Sequence, residues 1–208
     1  MLDLLIINGT IVTMNQKKEI LQNGALAIQE GRIVDVGDTG ALQAKYSTPK
    51  KVLDAKGKAI FPGLINTHNH LFQTLLKGLG DDKVLSDWLA QMTFPSAVHL
   101  IPEDTYVGAM LGCLDGLHSG TTTMVDYMYP HPQPGLSDGV IQAFRELGIR
   151  GIFGRGFMNT GVEFGVQTAI MQDVETIEKD ARRLLDTYHG VDNDRIKVWL
   201  APAAVWSS

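Results

Sequence analysis

Strand-like and helix-like segments alternate along the chain from Gly63 onward, and no other feature of the sequence restricts the possible fold as strongly. Runs rich in apolar and β-branched residues occupy four stretches, 63–70, 121–128, 149–158 and 195–203. Segments with apolar residues at helical spacing lie between them, at 101–120, 136–148 and 172–190. Alternation of this kind is typical of parallel strands joined by crossover helices, so the sequence predicts an α/β protein.

The number of alternating units limits the barrel that these residues can form. Four strands and about three crossover helices fit between residues 61 and 208, whereas a closed eight-stranded α/β barrel needs on the order of 250 residues. The sequence therefore predicts a partial (β/α)8 TIM-like barrel of about four βα units in residues 61–208.

The sequence pattern of residues 1–60 differs from that of the rest of the chain and predicts a small β-sandwich module. Short β-rich runs are separated there by turn residues, as in "LLIING", "TIVTM" and "KVLDAKGKAIFPG". Two further apolar runs flank the tripeptide "QEG", which predicts a hairpin with Gly31 in the left-handed turn position.

Charge and composition exclude several classes of function. Lys plus Arg number 18 and Asp plus Glu 23, giving a net charge of −5 without a block of like charge, so we expect neither a nucleic acid nor an anionic membrane as partner. A single cysteine, Cys113, excludes an intrachain disulfide, and the first residues lack the pattern of a signal peptide. No apolar run approaches the roughly twenty residues of a membrane helix. We therefore expect a cytoplasmic protein with a small-molecule partner.

Two histidines, His68 and His70, close the first strand-like run of the barrel segment, in "FPGLINTHNH". Side chains two apart on a strand point to the same face, and at the carboxyl end of a barrel strand this face is the mouth, where active sites lie. Neutral imidazole nitrogens are good ligands for zinc or iron, so the pair predicts one shared divalent ion. The alternative is one hydrogen-bonded core histidine and one exposed histidine, because a three-residue pattern often arises by chance.

Two longer stretches, "AIFPGLINTHNHLFQTLLKGLGDDKVLSDWL" and "LHSGTTTMVDYMY", resemble the amidohydrolase superfamily. The resemblance is to its aminohydrolase and chlorohydrolase branch, which acts on N-heterocycles and includes S-adenosylhomocysteine, guanine, 8-oxoguanine and pterin deaminases and triazine hydrolases. It implies a metal-bearing (β/α)8 barrel with a β-sandwich built from both chain ends. It also implies an enzyme, homo-oligomeric when complete, that removes an amino or halide substituent from a purine, pterin or triazine ring.

The resemblance assigns His68 and His70 as the first two ligands of a mononuclear site, with zinc as the expected metal and iron as the alternative. It places the other ligands, a histidine in a His-x-x-Glu motif, a further histidine and an aspartate, beyond Ser208, together with the catalytic acid/base. In such enzymes the metal lowers the pKa of water and a carboxylate moves a proton to the leaving group. The chain is thus expected to be an amino-terminal half, inactive alone.

Two other functions stay open on the sequence. One is a truncated, non-catalytic module for folding or interaction, whose open strand edges would invite pairing. The other is a structural metal site in a binding protein, which would differ from a catalytic site by lacking an exchangeable water.

Four residues are candidate substrate contacts, each with a structural alternative. Gln73 can donate and accept hydrogen bonds together, as a heterocycle edge requires, or it can be a surface glutamine. Asp87 and Trp88 match an acidic residue and tryptophan that contact substrate in the adenosine-type relatives, although an aromatic residue here can equally belong to the core. Arg155 lies at the end of the third strand-like run, where an inward-facing arginine can hold a polar substituent; pairing with a local carboxylate is the alternative.

One position departs from the family pattern. Where adenosine-type relatives carry a histidine after "AP" and oxoguanine-type relatives a cysteine, this chain has Ala203. The smaller side chain argues against an adenosine-like substrate and leaves room for a bulkier ring, with Trp206 as a possible wall. Asp126, in "TTTMVDYM", is assigned a structural role, and Cys113 is expected to pack within a helix.

Overall fold

The structure, a computed structural model, describes residues 1–208 and divides into two compact units, Met1–Pro62 and Gly63–Ser208. Five strands and one helix form the first unit: β1 (Leu4–Val12), β2 (Ile20–Gln29), β3 (Arg32–Asp38), α1 (Thr39–Lys45), β4 (Lys51–Asp54) and β5 (Ala59–Ile60). The predicted hairpin joins β2 to β3, and Gly31 has a positive φ of 73° in its turn.

The first unit contains one five-stranded mixed sheet. Its strand order is β3-β2-β1-β4, and β5 also pairs with β1. The β1–β2 and β2–β3 pairs are antiparallel, but β4 and β5 run parallel to β1. Because β1 has partners along both of its edges, all five strands join the same sheet. A small core of Leu2, Leu5, Ile7, Ala25, Ala27 and Leu42 lies on one face of it.

The second unit holds four strands and five helices: β6 (Leu64–Asn69), α2 (Leu85–Trp88), α3 (Phe94–Ala97), α4 (Pro102–His118), β7 (Thr121–Met128), α5 (Leu136–Leu147), β8 (Arg150–Phe157), α6 (Val174–Tyr188) and β9 (Ile196–Pro202). A 3-10 helix, Leu71–Leu76, follows β6, and short turns cover Val162–Phe164, Thr168–Ile170 and Val191–Asp194. A π-helical turn, Leu89–Thr93, joins α2 to α3.

The four strands form one parallel sheet in the order β6-β7-β8-β9, with α4, α5 and α6 as crossover helices. The predicted α/β class and the partial, unclosed barrel are confirmed. No helix of the chain is both long enough and apolar enough to cross a membrane.

Helix starts follow the local sequence in two cases out of three. Pro102 opens α4, and the Asp173 side chain caps α6 by accepting from the amide of Thr176 at 2.7 Å. Neither Ser137 nor Asp138 caps α5, because the helix begins at Leu136 after Gly135, which has a φ of 89°. Both side chains bind elsewhere, Ser137 to a histidine and Asp138 to an arginine.

The two faces of the sheet differ in what covers them. On β7, Met124, Asp126 and Met128 are buried on the helix-covered face, and Thr123, Val125 and Tyr127 alternate with them on the other face, where burial is partial. This second face corresponds to the interior of the barrel. Because paired residues of parallel strands share a face, the register of Met128 with Arg155 on β8 places Arg155 on the helix-covered side.

Candidate metal centre and cleft

The structure brings the two histidines of β6 together at the end of the strand. The ring centroids of His68 and His70 lie 5.1 Å apart with their planes at 82°. The β6–β7 register shifts between Asn66 and Asn69, so the ladder is irregular where the histidines lie. His68 is exposed and His70 is half-buried.

A backbone carbonyl determines the tautomer of His70. Its Nδ1 lies 2.7 Å from the carbonyl oxygen of Tyr127, which can only accept, so Nδ1 carries the hydrogen and Nε2 keeps its lone pair. Burial, the largest effect, and the neighbouring His68 lower the pKa of His70, whereas the bond to the Tyr127 carbonyl raises it. A neutral imidazole with its second nitrogen fixed by a hydrogen bond is the form that binds a divalent metal.

The donor pair fits a metal ion with imidazole ligands, but it supplies only part of a coordination shell. No group of three or more His, Cys, Asp or Glu side chains in the chain is placed to hold a metal. A catalytic zinc site uses three protein ligands and an open position, so His68 and His70 need at least one further ligand.

A cavity of about 270 Å³ adjoins His70 on the interior side of the sheet. Its lining is mostly aromatic and apolar: Leu85, Trp88, Leu89, Phe94, Tyr127, Tyr129, Met158, Ala203, Ala204 and Trp206, with Gln73 and His70 as its polar members. Three residues singled out in the sequence, His70, Gln73 and Trp88, thus lie at one cleft. Ala203 and Trp206, the departure from the family pattern, line it as well.

Gln73 is oriented by a buried tyrosine. Its Nε2 donates to the hydroxyl oxygen of Tyr129 at 2.8 Å. Burial raises the pKa of Tyr129 above its ordinary value, and the bond from Gln73 acts in the opposite direction. Tyr129 also contacts His70, with ring centroids 5.4 Å apart, so one aromatic side chain connects Gln73 to the histidine pair.

Two candidate substrate contacts lie away from this cleft. Asp87 is exposed on α2 and does not line the cavity. Arg155 has no solvent exposure and lies on the helix-covered face of the sheet. It donates to Asp180 at 2.8 Å and to Gln172 at 2.7 Å, so the structure favours the local carboxylate pairing over a substrate contact.

The residues that support His70 were not identified from the sequence. Tyr127 contributes its carbonyl oxygen and a ring whose centroid lies 5.2 Å from that of His70. The alternation of β7 is the signal that could have found it, since every second residue from Thr123 faces the barrel interior. His131, which the sequence did not single out, is buried and lies 3.1 Å from both Ser137 Oγ and Arg155 Nη1.

The four parallel strands and their crossover helices define an α/β protein with a partial, unclosed (β/α)8-type barrel. The sequence pattern of the Amidohydrolase family matches residues 59–208, and that of a bacterial imidazolonepropionase-like composite domain matches residues 24–46. The chain therefore belongs to the amidohydrolase family.

Among curated relatives, the chain is 34% identical over 206 residues to 5-methylthioadenosine/S-adenosylhomocysteine deaminase of Nitratidesulfovibrio vulgaris, covering 99% of this chain and 43% of the relative. It is 32% identical over 205 residues to 5'-deoxyadenosine deaminase of Methanosarcina acetivorans, covering 98% of this chain and 43% of the relative. The chain thus spans less than half the length of these relatives.

Solved structures with the same fold come from two further kinds of enzyme. Atrazine chlorohydrolase from Arthrobacter aurescens TC1, complexed with zinc, matches with a TM-score of 0.88 at 24% identity, over 99% of this chain and 48% of that one. An adenosine deaminase from Xanthomonas campestris with bound zinc matches with a TM-score of 0.85 at 27% identity, over 99% and 44%. The first likeness concerns the fold alone.

Proposed function

We propose that this chain forms part of a metal-dependent hydrolase that removes an amino or halide substituent from an N-heterocyclic ring. The observation that carries the proposal is the state of His70. Its Nδ1–H is committed to the Tyr127 carbonyl, and its ring adjoins that of His68 at the edge of an aromatic cleft. Membership of a family whose relatives are named deaminases and hydrolases supports the same reading.

His68 and His70 are the side chains that would hold the metal ion, with zinc preferred because imidazole nitrogen is among its usual ligands. A bound divalent cation supplies Lewis acidity that lowers the pKa of water towards neutrality. The Tyr127 carbonyl keeps the His70 hydrogen on Nδ1 and so keeps Nε2 available.

The cleft beside the metal ligands suits a flat, nitrogen-containing ring. Trp88, Tyr127 and Trp206 give it aromatic walls against which such a ring can stack, and Gln73 supplies an amide that can bond to ring nitrogens or their substituents. The side chain of Ala203 occupies little of the space, which favours a ring with a bulky substituent on that side. Residues elsewhere in the complete enzyme would provide the acid/base.

Metal binding tests the role of the two histidines directly. We expect zinc added to the dialysed protein to bind in isothermal titration calorimetry, and His68→Ala and His70→Ala each to abolish that binding. His99→Ala is the matched control, because His99 is an exposed histidine outside the cleft. Zinc binding retained in both single variants would refute the proposed ligands.

Ring binding tests the cleft. We expect 5'-deoxyadenosine or atrazine to change the tryptophan fluorescence of the protein, and Trp88→Phe to remove most of that change. Trp199→Phe is the control, since Trp199 is 52% exposed and does not line the cavity. Equal loss of signal in both variants would contradict a ring site at this cleft.

Turnover is tested by supplying the segment that this chain lacks relative to its relatives. The chain is co-expressed with the unmatched part of the Nitratidesulfovibrio vulgaris deaminase, and ammonia release from 5'-deoxyadenosine or chloride release from atrazine is measured with zinc. Product release that His68→Ala and His70→Ala leave unchanged would refute the proposal.

A non-catalytic folding or interaction module is the second candidate, favoured by the open edges of the parallel sheet. The edge strands β6 and β9 each have one hydrogen-bonded neighbour, and the apolar side chains of Ile65 and Leu200 are 65% and 58% exposed. Such edges invite pairing with another chain. A self-associating protein without zinc or ring binding would support this module and exclude the hydrolase.

A further inference from the structure

Two consecutive residues of β7 hold the end of β6 from different directions. The Tyr127 carbonyl accepts from His70 Nδ1 at 2.7 Å. The preceding residue, Asp126, accepts from the backbone amide of Leu71 through Oδ1, also at 2.7 Å. One short segment therefore binds both the side chain of His70 and the peptide that follows it.

The Asp126 carboxyl group replaces a backbone partner that the sheet no longer provides. The β6–β7 ladder is irregular after Asn66 and ends at the pair Asn69–Asp126, where the chain turns into the 3-10 helix. The amide of Leu71, a residue with no solvent exposure, would otherwise be a buried donor without an acceptor. The Asp126 side chain satisfies it across the strand.

Helix α4 also lies close to Leu71. A Cβ atom added to Gly108 would lie 2.9 Å from the carbonyl oxygen of Leu71, so the helix backbone lies close to the Leu71–Phe72 peptide. At Gly112 an added Cβ would lie 2.6 Å from the Leu71 side chain. Asp126 thus binds Leu71 at its amide, and α4 approaches the same residue at its carbonyl oxygen and side chain.

The chemistry of Asp126 is unusual for a residue that only fills space. It has no solvent exposure, and its Oδ2 is buried without a hydrogen-bond partner. Burial raises the pKa of Asp126 to about 7, while the bond from Leu71 lowers it. A buried carboxyl group with one unused oxygen is costly to keep, so we attribute its presence to the one bond that it accepts.

We propose that Asp126 is a positioning residue for His70, whose carboxyl group anchors the Leu71 peptide and so holds the imidazole against the Tyr127 carbonyl with Nε2 free for a metal ion. The inference rests on the proposed function for the role of the metal. The positioning itself concerns only the protein and can be measured without metal.

The test compares three variants in the full chain by two measurements. Asp126→Ala removes the acceptor, Asp126→Asn keeps an acceptor oxygen, and Met128→Ala creates a cavity two residues further on the same buried face of β7. The first measurement is the tautomer of His70 in the metal-free protein, by long-range nitrogen–proton correlation NMR at about pH 8, above the ordinary imidazole pKa. The second is zinc affinity by calorimetry.

We expect the wild type, Asp126→Asn and Met128→Ala to keep His70 with its hydrogen on Nδ1. Asp126→Ala should show a mixture of tautomers and a zinc affinity lower by about tenfold or more, as for loss of other residues that orient metal ligands. A stability loss alone cannot give this pattern, because Met128→Ala also loses stability but should retain the tautomer.

Three results would overturn the inference. They are a wild-type His70 with its hydrogen on Nε2, an Asp126→Ala variant with the wild-type tautomer, and an Asp126→Asn variant that behaves as Asp126→Ala does. Where Asp126→Ala does not fold, the wild-type spectrum and Asp126→Asn can still overturn the inference, by showing the hydrogen on Nε2. If zinc does not bind the wild type but the tautomers change as expected, the positioning role stands and the proposed metal function fails.

Discussion

Asp180→Ala should cost far more stability than the removal of a neighbouring carboxylate, because the arginine that it would leave behind is buried. Arg155 has a fully buried side chain and pairs through Nε with Asp180 Oδ2 at 2.8 Å. The guanidinium also donates to Gln172, to the Gly156 carbonyl and towards His131 Nδ1, all of them neutral groups. Asp180 is the carboxylate bound to this cation.

The size of the expected stability loss follows from how deeply the ion pair is buried. Removal of one partner of a buried ion pair costs about 3–5 kcal/mol, because the other charge stays uncompensated in a medium of low polarity. The Asp180 side chain is 24% exposed, so water can reach that edge and replace part of the interaction. We therefore expect a loss of about 2–3 kcal/mol in the free energy of unfolding.

Helix α6 offers a matched control. Glu178, one half-turn away, pairs with Arg182 at 2.7 Å, but the two side chains are 58% and 73% exposed. Exposed pairs of this kind contribute roughly 0.3–0.5 kcal/mol, so Glu178→Ala should change stability little. Urea unfolding of both variants, followed by far-UV circular dichroism, gives the comparison when the denaturant slopes agree.

A second variant tests the cause. Combining Asp180→Ala with Arg155→Met removes the buried charge together with its partner, so the double variant should recover part of the loss. Equal stabilities for Asp180→Ala and Glu178→Ala, or a double variant whose losses simply add, would refute the argument from the uncompensated cation.

Three further predictions follow from single buried positions. Gly108→Ala should destabilise the protein by about 1–2 kcal/mol, because contact of the new Cβ with the Leu71 carbonyl outweighs the helix propensity gained. Burial and the neighbouring Arg155 lower the pKa of His131. Neutral His131 therefore stabilises the folded protein above about pH 6.5, and the free energy of unfolding falls below that pH by up to about 1.4 kcal/mol per pH unit. In urea unfolding, His131→Gln should reduce this acid-induced loss. Burial raises the pKa of Cys113 to about 12, so the thiol should react with a disulfide reagent only when the protein unfolds.

Each of these predictions has an outcome that contradicts it. A Gly108→Ala variant as stable as the wild type would mean that α4 can move away from Leu71. If the unfolding free energy of His131→Gln depended on pH in the same way as that of the wild type, another group would cause the loss of stability at low pH. Rapid labelling of Cys113 under native conditions would contradict its burial.

The sequence was sufficient for those parts of the structure that local chemistry determines. The strand-like run at 121–128 coincides with β7, and the left-handed residue of the first hairpin is Gly31, because turn residues and β-branched runs act within a few positions. The closeness of His68 and His70 followed from the same kind of argument, since side chains two apart on a strand share a face.

Predictions that needed the direction of a side chain within the sheet were less successful. Arg155 was a candidate for the cleft but points to the helices. The reason lies in β8, where Phe153, Gly154, Arg155 and Gly156 are all buried, so the strand shows no alternation that would distinguish its faces. Only the register with β7 reveals the orientation.

The sequence by itself determined the α/β class, the family and the pair of histidines, because periodicity and motif spacing are properties of neighbouring residues. Tertiary structure alone decided that Tyr127 and Asp126 hold His70 and its following peptide, and that Gln73 and Trp88 line one cleft with Ala203. Some of these residues lie more than a hundred positions apart in the chain. Their proximity depends on strand register and on how closely the helices pack on the sheet, which no local pattern specifies.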